Sequence, residues 1–172
     1  MKNTRRALLW TMRILLTVLC AFAVGFILYN SMQPAAESVQ QSNAAVELVQ
    51  QVLSVVAPDS SIVTATGEEY DRLHNFVRLL AHFTEYALLG ALGGWCWRSY
   101  TDRKKWLSLP FCGIVGLAIA DECLQMLVEG RGTQFADVLV DWLGGGMGLA
   151  LALFTVWCVG KILQKRRAHE TR

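Results

Sequence analysis

The sequence predicts an all-α membrane protein: four transmembrane helices with both termini cytoplasmic, and an amphipathic helix on the outer surface between the first and second spans. Three observations predict it. The 172 residues are 53% hydrophobic and only 17% charged, richer in apolar residues than most soluble domains. The apolar residues gather into four runs, each long enough to cross about 30 Å of hydrocarbon at a rise of ~1.5 Å per helical residue. The basic residues alternate between the connections, as the positive-inside rule requires.

The first run, Trp10–Tyr29 (WTMRILLTVLCAFAVGFILY), must be helical, because a spanning backbone has to satisfy its own hydrogen bonds. Arg13 near its inner end is expected to snorkel toward the headgroups. A basic start, an apolar run and the small residues Pro34, Ala35 and Ala36 also resemble a secretory signal. The run is long for a signal core, which favours a retained span. The long connection after it should contain structure of its own. Over 36–56, Val39, Val46, Val49, Val52, Leu53 and Val56 recur at helical spacing opposite Glu37, Gln40, Gln41, Glu47, Gln50 and Gln51. This describes an amphipathic surface helix, which Pro58-Asp59 stops. Its valine face is expected to meet lipid, the bundle or a second copy of the chain. The second, third and fourth spans are Phe76–Trp97, Trp106–Val128 and Ala136–Leu163, and residues 1–172 form a single membrane domain.

Orientation follows from the connections. Lys2, Arg5 and Arg6 precede the first span. Arg98, Arg103, Lys104 and Lys105 lie between the second and third, and Lys161, Lys165, Arg166, Arg167 and Arg172 follow the fourth. These stretches are expected to be cytoplasmic. The first connection carries only Arg72 against Glu37, Glu47, Asp59, Glu68, Glu69 and Asp71, and the third carries only Arg131, so both should lie outside. The net charge of +2 averages a basic inner face with an acidic outer one.

The cysteines Cys20, Cys96, Cys112, Cys123 and Cys158 all fall in predicted spans and read as small packing residues rather than disulfides. There is no CxxC, HExxH or glycine-rich phosphate loop, and the basic inner loops need no nucleic acid to explain them.

Ionisable residues inside three of the spans mark a site, since a charge at hydrocarbon depth costs a few kcal/mol or more unless it faces a protein interior. In the second span Arg78, His82 and Glu85 share one helical face, flanked by Tyr86. In the third, Asp121 and Gln125 are one turn apart with Glu122 on the adjacent shoulder. In the fourth, Asp137, Asp141, Gly144 and Gly148 form one stripe, carboxylates at its outer end and a GxxxG where another helix can approach closely. With the spans alternating in direction, His82, Glu85, Asp121, Glu122 and Asp141 fall in the outer half of the bilayer, and Arg131 sits just above them. A polar pocket open to the outer face or leaflet is expected.

Several readings of this set compete. A structural lock would pair Arg78 with Glu85 or an aspartate, Arg131 with Asp137, and His82 with a neighbouring carboxylate. The acids outnumber the arginines, however, so some must be protonated, hydrated or bound to a ligand or cation. A catalytic reading makes His82 a general acid or base oriented by Glu85, with Asp121 and Glu122 as further acid–base groups and Arg131 holding an anion. A metal reading uses His82 and Glu85 with carboxylates from two other helices; a divalent metal is thus an open cofactor assignment, not the favoured one. A proton path fits poorly, because the polar residues stop in the outer half.

The series Arg78-x3-His82-x2-Glu85-Tyr86-x2-Leu89-Gly90, Asp121-Glu122-x2-Gln125, Gly130-Arg131 and Asp137-x3-Asp141-x2-Gly144-x3-Gly148 resembles the VanZ-like family of membrane proteins. The stretch Gln33-Pro34-Ala35-x2-Ser38-x2-Gln41-Ser42 is similar to family members from Gram-positive bacteria. Asp141 stands where many relatives carry Asn, and Thr133 where a serine is often seen. The resemblance implies a multi-pass protein of the cell membrane whose namesake confers low-level resistance to the glycopeptide antibiotic teicoplanin. It does not imply an enzyme.

The expected function is therefore modulation of the cell envelope or of teicoplanin susceptibility. The pocket would bind a lipid-linked wall precursor or a lipoglycopeptide, with Arg78 and Arg131 holding the anion and His82, Glu85, Asp121, Glu122 and Asp137 orienting it. One alternative is a membrane enzyme acting on such a substrate with His82, Glu85, Asp121 and Glu122 as acid–base groups. Another is an assembly subunit or homo-oligomer using the Gly144–Gly148 face and the outer helix.

Overall fold

Long apolar runs in a chain that must hydrogen-bond its own backbone become helices, and the computed structural model, which describes residues 2–101, 108–131 and 135–170, is helical throughout its regular structure. The elements are α1 (Lys2–Ser31), α2 (Ala35–Val56), α3 (Glu68–Tyr100), α4 (Ser108–Gln125) and α5 (Phe135–Glu170). Arg103, Lys104 and Lys105, the expected start of the third span at Trp106, Gly132 and Thr133 of the third connection, and Arg172 lie outside the described residues.

Among the described residues, three stretches are long and apolar enough to cross a membrane: Arg6–Ser31, Ser108–Gln125 and Phe135–Arg166. The expected second span lies within the 33 residues of α3, which begins acidic with Glu68, Glu69 and Asp71 and carries Arg78, His82 and Glu85. The exterior is apolar: Phe22, Leu88, Leu143, Met147 and Phe154 are each more than half exposed, a surface suited to lipid rather than water. The helix of the third span ends at Gln125, not Val128. Residues 126–128 continue in turns, with Val128 N–H donating to the Gln125 carbonyl (3.1 Å).

The long helices run in alternating directions. At one end, Arg13 Nε donates to the Ser99 carbonyl (2.8 Å) and Trp95 Nε1 donates to Thr155 Oγ1 (2.9 Å). This gathers the start of α1, the end of α3 and the later part of α5. At the other end, Asn30 and Ser31 of α1 meet α3 and α4. Arg13, expected to snorkel toward the headgroups, also makes contacts within the protein. Its guanidinium lies 5.2 Å from the Trp10 ring centroid and 5.1 Å from that of Tyr100. Aromatic faces attract the cation, and the last turn of α3 offers carbonyls without intrahelical partners.

The closest packing joins α3 to α5. A Cβ on Gly148 would overlap the Ala87 carbonyl, one on Gly144 the Phe83 carbonyl, and one on Gly90 the Gly145 carbonyl. A Cβ on Gly94 would come within 2.7 Å of the Ala152 methyl. Small residues thus let two backbones touch, the arrangement that holds helices together where lipid is as apolar as the side chains. Around this seam Ile27, Tyr86, Leu89, Ile114, Ala118 and Val138 form the buried core.

The helix α2, expected on the outer surface, is placed differently from its sequence pattern. Val46 is fully buried and Val49 and Leu53 are half-buried, but Val39, Val52 and Val56 of the same predicted stripe are exposed, with Leu48 and Val55. The inward face is mixed, because Ser38 and Ser42 turn toward the polar end of the bundle. Tyr70 OH donates to Asn43 Oδ1 (3.2 Å) and Gln50 Nε2 to the Ile62 carbonyl (3.0 Å), fastening α2 to α3 and to the intervening loop. The cysteines are all free thiols, but Cys112 and Cys123 are exposed, and only Cys20, Cys96 and Cys158 pack partly inside.

The seam predicts a sharp contrast. Gly148→Leu forces the two backbones apart and should cost at least the ~1–3 kcal/mol of an overpacked core. Gly25→Ala meets nothing within 4 Å and should be neutral or stabilising by up to ~1 kcal/mol. Thermal melting of detergent-purified protein, followed by size-exclusion chromatography, should show loss of folded material for the first variant alone.

Candidate functional site

The polar site is assembled where all the helices converge, and each set of side chains arrives there through helical spacing. Arg78, His82 and Glu85 project from successive turns of α3. Asp121 and Gln125 are one turn apart on α4, and Asp137 and Asp141 one turn apart on α5. Asp121, Gln125, Asp137 and Asp141 are each no more than 2% exposed, so none of them meets lipid.

The charges are sorted into pairs. Arg78 binds Asp137, whose side chain is 1% exposed. His82 Nδ1 lies 3.3 Å from Asp141 Oδ1. Glu85 Oε1 accepts from Asn30 Nδ2 at 3.1 Å. Asp121 is held on both oxygens: the Ser31 hydroxyl contacts Oδ1, and Tyr86 OH donates to Oδ2 at 3.2 Å.

Arg131 does not pair with Asp137. Its Nη1 donates to the carbonyls of Asn30 (3.0 Å) and Ser31 (2.9 Å), and Nη2 donates to Ser38 Oγ (3.0 Å). The end of α1 leaves carbonyls without intrahelical partners, and a guanidinium fork satisfies two at once. Gly130, at φ +79°, gives the chain the left-handed turn that brings Arg131 to this position. Burial lowers the Arg131 pKa from its ordinary value, with the nearby Arg78 charge adding to the effect. Arginine stays charged nonetheless. Glu122 is half-buried, within electrostatic reach of Arg131, and outside the cavity lining.

Between these groups lies a cavity of about 130 Å³, bordered by His82, Glu85, Asp121, Gln125, Arg78 and Arg131. Asn30, Ser31, Ser38, Gln41 and Ser42 close it on the side of α1 and α2. At about 30 Å³ per water, it has room for a few waters or one small polar group. Helical periodicity does not find this α1–α2 wall, because Asn30 and Ser31 follow an apolar span that ends at Tyr29 and Gln41 reads as part of the wet face of a surface helix. The stretch Gln33–Ser42 carried a signal in its family-like spacing, and it folds directly over the cavity.

An apolar groove of about 670 Å³ runs alongside, walled by Phe22, Phe26, Leu88, Trp95, Met147 and Leu151. Ile27 and Glu85 border both the groove and the polar cavity. For metal ligation, one donor atom each from His82, Asp121 and Asp141 lies within 4.8 Å of the others.

The Arg78–Asp137 pair yields a direct test. Arg78→Met leaves the buried Asp137 carboxylate without its partner and should cost ~3–5 kcal/mol, whereas Asp137→Leu leaves the partly exposed Arg78 guanidinium unpaired and should cost less. The double variant should lose much less than the sum. Thermal melts of the four proteins in detergent measure the coupling, and additive losses would show that the two side chains do not act as a pair.

No curated protein and no solved structure matches the chain. The model of the VanZ/LLP1 family matches residues 16–157, from the first half of α1 to well into α5, and so includes the whole polar site. The chain therefore belongs to the VanZ/LLP1 family of membrane proteins.

Proposed function

We propose that this VanZ-type protein modulates the cell envelope, and with it teicoplanin susceptibility, by binding an amphiphile with a polar anionic head and an acyl or prenyl chain. The observation that carries the reading is the junction of the polar cavity and the apolar groove at Ile27 and Glu85. One small polar group of the head in the first and the chain in the second would each meet a wall of its own polarity, with the rest of the head outside the cavity. A lipid-linked wall precursor and a lipoglycopeptide both have this chemistry.

The reading places the chain in the membrane as four spans with α3 as the second, both termini cytoplasmic, and residues 1–172 as a single domain. The alternating helix directions support it. So does the gathering of Arg13, Tyr100 and the Lys161–Trp157 cation–π contact (5.8 Å) toward the end opposite the carboxylates, as expected of an inner interface. The cavity then opens in the outer half of the bilayer, where such amphiphiles are handled.

The second reading is a membrane enzyme acting on the same class of molecule. The contact of His82 Nδ1 with Asp141 Oδ1 at 3.3 Å favours it, since a carboxylate beside an imidazole is the usual way to orient a general base. Asp141, rather than Glu85, would be the orienting group.

Expression in a glycopeptide-sensitive Gram-positive host should raise the inhibitory concentration of teicoplanin several-fold and leave that of vancomycin, which lacks the acyl chain, unchanged. Glu85→Gln and Leu88→Trp, matched for membrane abundance, should each abolish the rise, one from the cavity side and one by filling the groove. An equal rise for both drugs, or a rise that survives both substitutions, would refute the amphiphile reading.

A further inference from the structure

We infer that His82, Asp121 and Asp141, with Glu85 beside them, form a binding site for a divalent metal ion of the Zn²⁺ or Mn²⁺ class, and that the ion presents its open coordination positions to a phosphoryl group in the cavity. The ion site stands on the cluster itself. Its role in holding a phosphoryl head rests on the amphiphile reading above.

Geometry comes first. Three helices each contribute one ligand-type atom, an imidazole nitrogen and two carboxylate oxygens, all within 4.8 Å of one another. Metal–ligand bonds of about 2.0–2.2 Å set donors about 3.4 Å apart in a tetrahedral site and up to about 4.4 Å apart across a six-coordinate ion. The widest pair would close by up to about 0.4 Å to take opposite octahedral positions, as manganese allows, and by up to about 1.4 Å for tetrahedral zinc. An imidazole with carboxylates suits zinc or manganese better than calcium or magnesium, which take oxygen alone.

The supporting shell is already in place. Asp121 is oriented by Ser31 and by Tyr86 OH at 3.2 Å, and Tyr86 is fully buried. The close approach of Gly144 to the Phe83 backbone fixes Asp141 beside His82, their neighbours in sequence. Partners of this kind set ligand orientation in metal sites.

Charge supplies the independent argument. Arg78 contacts Asp137 through Nη2, and Arg131 is held by the carbonyls of Asn30 and Ser31 and the hydroxyl of Ser38. Glu85, Asp121 and Asp141 lie together around His82, whose Nδ1 is 3.3 Å from Asp141 Oδ1. Buried carboxylates are costly in their charged form unless a cation accompanies them, and a divalent ion is one such cation. The same groups bear on the ligand: an anionic head entering this cavity would meet carboxylates, and a metal ion turns that repulsion into attraction. His82, Glu85 and Asp121 border the open volume of about 130 Å³, so a bound ion would have space for further ligands on that side.

The test begins with the wild-type chain, purified in detergent, loaded with Zn²⁺ or Mn²⁺, desalted and assayed for metal by mass spectrometry. About one ion per chain should be retained, and the melting temperature should rise with metal and fall with a chelator. Asp121→Asn and Asp141→Asn should weaken the ion's hold by about tenfold or more, while Glu68→Gln, an exposed carboxylate distant from the cluster, should not. Wild-type protein that retains neither ion and melts alike with metal and chelator overturns the site, even if the variants fail to fold. So do folded Asp121 and Asp141 variants that hold metal as tightly as wild type. Binding of a polyprenyl phosphate, of the matching polyprenol and of inorganic phosphate then separates the two proposals. Metal-dependent binding of the polyprenyl phosphate alone supports the lipid head as ligand, and equal binding of inorganic phosphate supports a free anion instead. Retained metal with no amphiphile binding overturns the amphiphile reading and leaves the ion site; amphiphile binding without metal does the reverse.

Discussion

Everything at the polar end of this protein depends on how closely α3 and α5 approach. The Gly144 and Gly148 positions lie against the carbonyls of Phe83 and Ala87, and Gly90 and Gly94 answer from the other helix. The absence of side chains there sets both the distance and the register of the pair. A shift of one turn would move Asp141 by about 5.4 Å along the axis and separate it from His82. In lipid no hydrophobic force drives helices together, so van der Waals contact between backbones and the polar pairs beyond it must hold the arrangement. The seam and the pairs of Arg78 with Asp137 and His82 with Asp141 lie on the same two helices, and each stabilises the register that the other needs.

The second constraint is the distribution of positive charge. Two arginines reach the site, and both act structurally. Arg78 neutralises Asp137, while Arg131 ties the end of α1 to the start of α2. An arginine that caps a helix and fixes a neighbouring one is poorly placed to grip a ligand anion as well. The cavity is rich in acceptors, and each of its two bordering arginines is held at least in part by the protein itself.

The position of α2 gives the site its outer wall. Its mixed inner face closes the cavity with Ser38, Gln41 and Ser42, while Val46 packs fully and Val39, Val52 and Val56 remain outside. A helix held by Arg131, by Asn43 to Tyr70 and by Gln50 to the Ile62 carbonyl covers the polar end of the bundle. The apolar groove is left uncovered beside it, bordered by exposed aromatic and aliphatic side chains such as Phe22 and Leu88.

The helical class, the apolar stretches and the ionisable side chains on their inward faces can be read from the order of residues alone, because they follow from run length and a period of 3.6 residues, which are local properties. His82 and Glu85 on one face, Asp121 with Gln125, and Asp137 with Asp141 were all legible in this way. The pairing was not. That Arg78 takes Asp137, that Arg131 caps α1 rather than facing Asp137, and that Asn30, Ser31 and Ser38 complete the site were decided only by the tertiary structure. Periodicity says which face of a helix turns inward and nothing of which helix it meets or at what height. Those are set by the contact of glycine backbones and by helix-end carbonyls that need donors. For the same reason the valines of α2 misled: an amphipathic pattern assumes one apolar environment, and this helix faces a polar cavity on one side and an open surface on the other.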